Sequence, residues 1–280
     1  MSRILALTAL IGLGLSAPAL AGSPDKPAKP AAVQAGAPAP KAPPQAPPRK
    51  ATAQERAEGD RLEPLARAAF WSREVEIDGR DAEAGVKLAG ALRALDRNDE
   101  ASLAANRVLV IFPDNRAALM ETARDSIAAG QGFFALDPLK RLQVGDPRDW
   151  QVWSLMGVAY EQVGRTEEAE ACWRQALDLS PDNAGVLSNL AMHFAAKGDR
   201  TQAETLLRRA AAAPGATLQV RQNLALVLGL EGKLAEAEQI QRQDLPPELA
   251  SANMAYLRAA GGGGDSRSWK ALQGAQAASN

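Results

Sequence analysis

A solenoid of paired α-helices is the fold class this sequence predicts, and three observations predict it. Small residues recur in step along 34-residue frames that start at Ala82, Arg116, Trp150, Ala184 and Leu218. Apolar residues make up 46% of the 280-residue chain while aromatics supply only 4%, so alanine and leucine dominate, and both lose little side-chain entropy in a helix. Glycine and proline fall at fixed places in the frame, where helices stop.

The frame is read position by position. Its eighth residue is Ala89, Ala123, Gly157, Ala191 and Ala225; its twentieth is Ala101, Ala135, Ala169, Ala203 and Ala237. The fifteenth is Asp96, then Gly130, Gly164, Gly198 and Gly232, and the thirty-second is Pro113, Pro147 and Pro181 in the first three frames. The central frame sets Trp153, Met156, Gly157 and Tyr160 on one stripe of a first helix, at i, i+3, i+4 and i+7. Gly164 closes that helix, because the chain needs a positive φ there that glycine supplies freely. Thr166, Glu167 and Glu168 open a second helix with negative charge at its positive end. Ala169, Trp173, Ala176 and Leu177 form its facing stripe, and Pro181 stops it. Gly157 is expected to face Ala169 across the pair, letting the two backbones approach, with Trp153, Tyr160 and Trp173 filling the wider gaps.

Trp153, Met156, Gly157, Tyr160, Ala169, Trp173 and Pro181 together resemble the tetratricopeptide (TPR) repeat. The resemblance implies a right-handed superhelix of five repeats over residues 82–251. Pro138 lies inside the second helix of the second repeat, which predicts a kink or a helix restarting at Asp137-Pro138. Pro214-Gly215 predicts a shorter second helix in the fourth repeat. Residues 51–81, with "EPLARAAFWSREVEID", read as an amphipathic helix or half repeat, and residues 247–259 as a capping helix.

The two ends differ in composition. Residues 1–21 read as an export signal: Arg3, an apolar run from Ile4 to Leu15 well short of the roughly 20 residues of a spanning helix, and Ala19-Leu20-Ala21 as the cleavage site. Residues 22–50 hold half of the 18 prolines and read as a disordered tether. Residues 261–280 read as a glycine-rich flexible tail, without the Lys-Ser/Thr ending of a phosphate loop. An exported, soluble protein follows. The single cysteine, Cys172, neither pairs within the chain nor stands where a lipid-bearing cysteine would, so no direct lipid anchor is expected.

Chemistry is sparse. The 32 basic and 33 acidic residues nearly cancel, with no basic stripe interleaved with aromatics, so a nucleic-acid partner is not indicated. Cys172 and the only histidine, His193, fall on neighbouring helices, but spacing supplies neither an orienting third group nor the ligands of a metal site. No catalytic residue, cofactor or metal is expected. Function is expected on the concave face lined by the first helices. It would be formed by Met120, Glu121 and Arg124; Ser154, Val158, Glu161 and Gln162; Ser188, Asn189 and Met192; and Gln222, Asn223 and Leu226. This mixed lining suits an extended peptide or a partner helix. Asn189 and Asn223 share a frame position. Their amides would either form a ladder for a bound main chain or satisfy the neighbouring repeat.

The run "RQNLALVLGLEGKLAEAE" followed by "DLPPELASANMAYLRA" resembles TadD, the TPR protein family of bacterial tight-adherence (Flp) pilus assembly. "FWSREVEIDGRDAEA" and "WSLMGVAYEQVGRTEEAEACWRQALDLSPDNAGVLSNLA" agree with it, so the resemblance spans residues 62 to 259. It implies a periplasmic, non-enzymatic scaffold or adaptor for pilus-assembly proteins, with the outer-membrane secretin as the foremost partner. A TPR module of another exported system, such as cytochrome c maturation or cell-wall assembly, is the alternative.

Overall fold

The computed structural model describes residues 49–261, with side chains to residue 259. Residues 1–48, read above as an export signal and most of a tether, and residues 262–280 of the glycine-rich end lie outside the described residues. Among those described there are thirteen α-helices and no strand. Two precede the frame: α1 (Ala53–Gly59) and α2 (Pro64–Ile77). The first helices of the pairs are α3 (Ala82–Arg93), α5 (Arg116–Ala128), α7 (Trp150–Gln162), α9 (Ala184–Ala196) and α11 (Leu218–Leu230). Each is followed by its second helix: α4 (Asn98–Ile111), α6 (Gly132–Gly145), α8 (Thr166–Leu179), α10 (Arg200–Ala212) and α12 (Leu234–Asp244). A last helix, α13 (Pro247–Gly261), packs on both α11 and α12. No described helix is long and apolar enough to cross a membrane.

Helix limits follow from local chemistry. Each first helix is preceded by a short polar residue, Asp81, Asn115, Asp149, Asn183 or Thr217, whose side-chain oxygen accepts a first-turn backbone N–H. Such caps satisfy donors that no helical carbonyl reaches. Between the helices of each pair stands a residue with positive φ: Asp96 at 57°, then Gly130, Gly164, Gly198 and Gly232 at 70° to 89°. At the third of these turns Arg165 donates its N–H back to the Tyr160 carbonyl over 2.9 Å, the long-range bond of a Schellman closure.

The core is a ladder of small residues flanked by large ones. Ala89, Ala123, Ala191 and Ala225 are fully buried, as are Ala101, Ala135, Ala169, Ala203 and Ala237. Around them Leu139, Val152, Leu187, Leu207, Val227 and Leu228 fill the space between successive helices, and the largest cluster runs without a break from Leu119 to Leu257.

Three details depart from the sequence expectation. At Gly157 the nearest side-chain atoms are all of Trp173: a methyl group there would stand 2.6 Å from Cε2 and 2.7 Å from Cδ1. The glycine therefore makes room for an indole lying across α7, whose Nε1 donates to the Ser154 carbonyl at 3.2 Å, rather than for a bare backbone opposite Ala169. In α6 the helix does not restart at Asp137-Pro138: Pro138 is buried inside one continuous helix, and Ala135, Leu139 and Leu142 hold it against the core. The stretch 51–81 forms two helices rather than one. Arg56 of α1 reaches Glu74 (2.9 Å), Asp81 and Glu83 (2.8 Å), and the Ala51 N–H donates to both Glu74 oxygens, so the buried Glu74 carboxylate binds α1 to its neighbours. The second helix of the fourth pair is one residue shorter than those before it, α10 at 13 residues against 14 for α4, α6 and α8, and α12 is shorter again at 11.

Candidate functional site

The first-helix face combines accessible and buried residues, and the division follows from helix geometry. Arg124, Val158 and Met192 occupy the ninth position of successive first helices, so they form one row across α5, α7 and α9, each partly exposed. Ser154, Glu161, Asn189 and Gln222 are also partly exposed, and Gln162 is exposed. Met120, Glu121, Ser188, Asn223 and Leu226 are buried, so the fold leaves little of them open to a partner. Met120 and Ser188 at the fifth position and Glu121 and Asn223 at the sixth are covered, while Ser154, Gln222 and Asn189 at the same positions stay partly open; Leu226, in the ninth-position row, is closed off in the last pair.

The buried polar members are fully occupied within the fold. Asn223 donates from Nδ2 to Ser188 Oγ at 3.0 Å and accepts from Gln219 Nε2 at 2.9 Å. Of the two asparagine readings, the one in which Asn223 satisfies the neighbouring repeat is the one seen, and Asn189 does not join it. Glu121 accepts from Arg93 at 2.8 Å and from Arg124 at 2.7 Å. Gln162 donates to the Ile127 carbonyl at 2.9 Å, tying α7 to the end of α5.

Beneath Glu121 lies Asp125, with no exposed surface. Burial pushes its carboxyl up to about 7; Arg93 pulls the other way, and Glu121 adds to the rise. Arg93 Nε stands 3.0 Å from Asp125 Oδ1 but is not aligned as a hydrogen bond, and neither Asp125 oxygen has a hydrogen-bond partner. A carboxyl so placed holds its proton far more readily than an exposed one.

At the other joint, His193 of α9 is buried between α7 and α8. Its Nδ1 lies 3.0 Å from Glu161 Oε2 and its Nε2 lies 3.3 Å from Glu170 Oε2. Trp173 and Phe194 meet the ring edge-on at 5.7 and 5.5 Å between centroids. Cys172 is buried, and burial, assisted by the charge of Glu168, pushes its thiol up to about 11. A thiol held protonated in this way is a poor nucleophile. Among the described residues no group of three His, Cys, Asp or Glu side chains is arranged to hold a metal ion.

One surface was missed in the sequence. Large apolar side chains are exposed on the second helices of the N-terminal half: Leu103 and Val110 on α4, and Phe133, Phe134 and Val144 on α6. The second helices α8, α10 and α12 expose no large apolar side chain; ion pairs such as Arg208–Glu236 (2.6 Å) and Arg174–Glu170 (2.7 Å) cover them. A cavity of about 470 Å³ opens between α4, α5 and α6, with Leu109, Leu119, Phe134 and Pro138 in its walls. The signal lay in plain view as "FF" at the start of α6, but a frame scored on small residues gives outward positions no weight.

Comparison with known proteins agrees with this architecture. The model of the cilia and flagella-associated protein 70 C-terminal domain, a TPR domain, matches residues 120–256. Among solved structures, the thermophilic TPR protein TTC0263 of Thermus thermophilus aligns with a TM-score of 0.56 at 25% identity, over 63% of this chain and 98% of that one. MamA (41-end) of Desulfovibrio magneticus RS-1 aligns with a TM-score of 0.50 at 20% identity, over 56% of this chain and 91% of that one. No curated protein matches. The described chain is an all-α TPR solenoid, a fold that presents surfaces to proteins and peptides and is generally non-catalytic.

Proposed function

We propose that this protein is a non-enzymatic periplasmic adaptor that holds a protein partner during assembly of a tight-adherence (Flp-type) pilus, the secretin channel being the foremost candidate. The observation that carries the binding part is the accessible row Arg124, Val158 and Met192 with Glu161 and Gln162 beside it. It offers a cation, two apolar anchors and two polar groups along one line, the chemistry that an extended segment or the face of a partner helix needs. The pilus part rests on the resemblance of residues 62 to 259 to the TadD family, and the periplasmic location on the leading segment 1–21.

The test is capture of partners from periplasm by the full chain, followed by affinity measurement against each partner found. A secretin or pilus-assembly component is the expected catch, and Val158→Asp with Met192→Asp should weaken it at least about tenfold while helicity is unchanged, since hot-spot residues of such faces contribute about 2 kcal/mol or more. Unchanged affinity in the folded double variant overturns the face. Capture of cytochrome c maturation or cell-wall proteins instead overturns the pilus assignment and leaves the adaptor.

A further inference from the structure

The joints between successive repeats share a register. The tenth residue of a first helix lies against the twelfth of the preceding one: Asp125 against Arg93, and His193 against Glu161. In the first case an acid meets a permanent cation. In the second, an imidazole meets an acid, and a second acid waits on its other side.

We propose that His193 is a proton-operated clasp between the third and fourth repeats, closed when both ring nitrogens carry protons and loosened when one is lost. The argument is one of donors and acceptors. An ionised carboxylate only accepts hydrogen bonds, and a neutral imidazole has one N–H and one bare lone pair. His193 places a nitrogen within hydrogen-bond reach of a carboxylate oxygen on each side, Glu161 Oε2 at 3.0 Å and Glu170 Oε2 at 3.3 Å. Only the doubly protonated ring donates to both. The neutral ring turns a lone pair toward one of the two oxygens, with its own side chain 1% exposed, where an unmade bond is costly.

The surroundings keep Glu170 in the accepting state. Glu170 is pushed up by burial, yet hydrogen bonds from Lys197 and His193 and the charge of Arg174 outweigh this and hold it below the usual carboxylate range. Lys197, the C-cap of α9, reaches Glu170 Oε2 at 3.3 Å, and Arg174 of α8 reaches Oε1 at 2.7 Å. From α7 the facing charge is Glu161, a third exposed. From α10 and α11 no charged group contacts the ring among the described residues; its other neighbours are the edges of Trp173 and Phe194. Trp173 also fills the space over Gly157, so the clasp, the indole and the α7–α8 contact form one continuous packing unit.

Because His193 is the only histidine, its ring is read without ambiguity. Nitrogen-15 NMR of the full chain should show two ring N–H groups at about pH 6 and one at about pH 9. Over the same range the thermal midpoint should fall by on the order of 3 °C more in the parent than in Glu161→Gln. The amide of that variant can donate to a bare ring nitrogen, so it accepts the neutral imidazole, and Glu161 is exposed enough for the exchange to leave the fold intact. His193→Gln should show the same flattening. Differences taken against the parent cancel the contribution of every other titrating group, Asp125 included. A single ring N–H at both pH values, or parallel falls in parent and Glu161→Gln, overturns the proposal. If His193→Gln fails to fold, the NMR and Glu161→Gln arms still decide it.

Discussion

At the scale of single residues, Gly157 and Trp173 form a matched pair. The indole lies where a methyl would otherwise project, and its N–H is satisfied by the Ser154 carbonyl. Gly157→Ala gains helix propensity of about 1 kcal/mol but must displace the ring and its hydrogen bond. Overpacking of this kind costs roughly 1–3 kcal/mol, so a thermal melt should show a net loss of up to about 2 kcal/mol. Asp125 makes a second residue-level prediction. Its carboxyl titrates at 3.8 when solvated and at about 7 in the fold. Between these values the unfolded chain releases a proton that the folded chain keeps, so stability falls as pH rises through the window from about 4 to about 7. Asp125→Asn should remove that fall: parent and variant converge near about pH 4, and at about pH 8 the variant should be the more stable by on the order of 4 kcal/mol. Chemical denaturation at the two pH values measures the difference.

At the scale of elements, α6 stands apart. Pro138 has no N–H to donate to the Phe134 carbonyl, yet the helix runs through it. Burial of Ala135, Leu139 and Leu142 on the same helix outweighs the lost bond, an override of local propensity by packing that no reading of residues 132–145 alone could foresee. Pro138→Ala restores the donor and should raise the denaturation midpoint, with a gain in unfolding free energy of about 1–2 kcal/mol after the lost ring contacts are set against the regained bond. A lowered midpoint would mean that the pyrrolidine ring itself anchors α6. The second helices are also joined across repeats by a recurring clamp. Arg141 donates to the Pro113 carbonyl at 2.7 Å and to Asp114 at 2.9 Å, and 68 positions on, two 34-residue frames, Arg209 does the same at Pro181 (2.8 Å) and Asp182 (2.9 Å). These arginines lie half-exposed, so their ion pairs add little stability; their carbonyl contacts fix where one repeat's turn meets the next repeat's helix.

At the scale of the whole described molecule, stacking requires that the last pair be covered. Gly229 of α11 lies against Leu257 of α13: a methyl there would stand 2.6 Å from Cδ1 and 2.9 Å from Cδ2. Leu257 and Met254 are both buried, so α13 takes the place that a further first helix would occupy. Leu257→Ala should cost about 2–4 kcal/mol, as large-to-small changes at closed sites do, and should do so without altering the N-terminal pairs. Amide hydrogen exchange separates the outcomes: faster exchange confined to α11–α13 is expected, and a uniform increase would show that the array opens as one unit.

The all-α class and the helix pairs were legible because their cause is local and repeated. Alanine at two frame positions, glycine at a third and proline at a fourth each act within a turn or between adjacent helices, and repetition multiplies the signal. The five caps from Asp81 to Thr217 are equally local, a further periodic signal that the small-residue frame left unread. The site was less legible. Helical spacing places Glu121, Ser188 and Asn223 on the inner face, but only the next repeat decides that they are covered. The pairings of His193 with two glutamates, 32 and 23 residues away, and the apolar exposure of α4 and α6, arise where separate frames meet. By itself, then, the sequence determined the repeated helix pairs and the turns between them, because those are matters of backbone freedom and nearest-neighbour size. Which polar groups are shut from water, and which apolar ones remain open to a partner, only the tertiary stack decided, because burial is a property of what lies opposite.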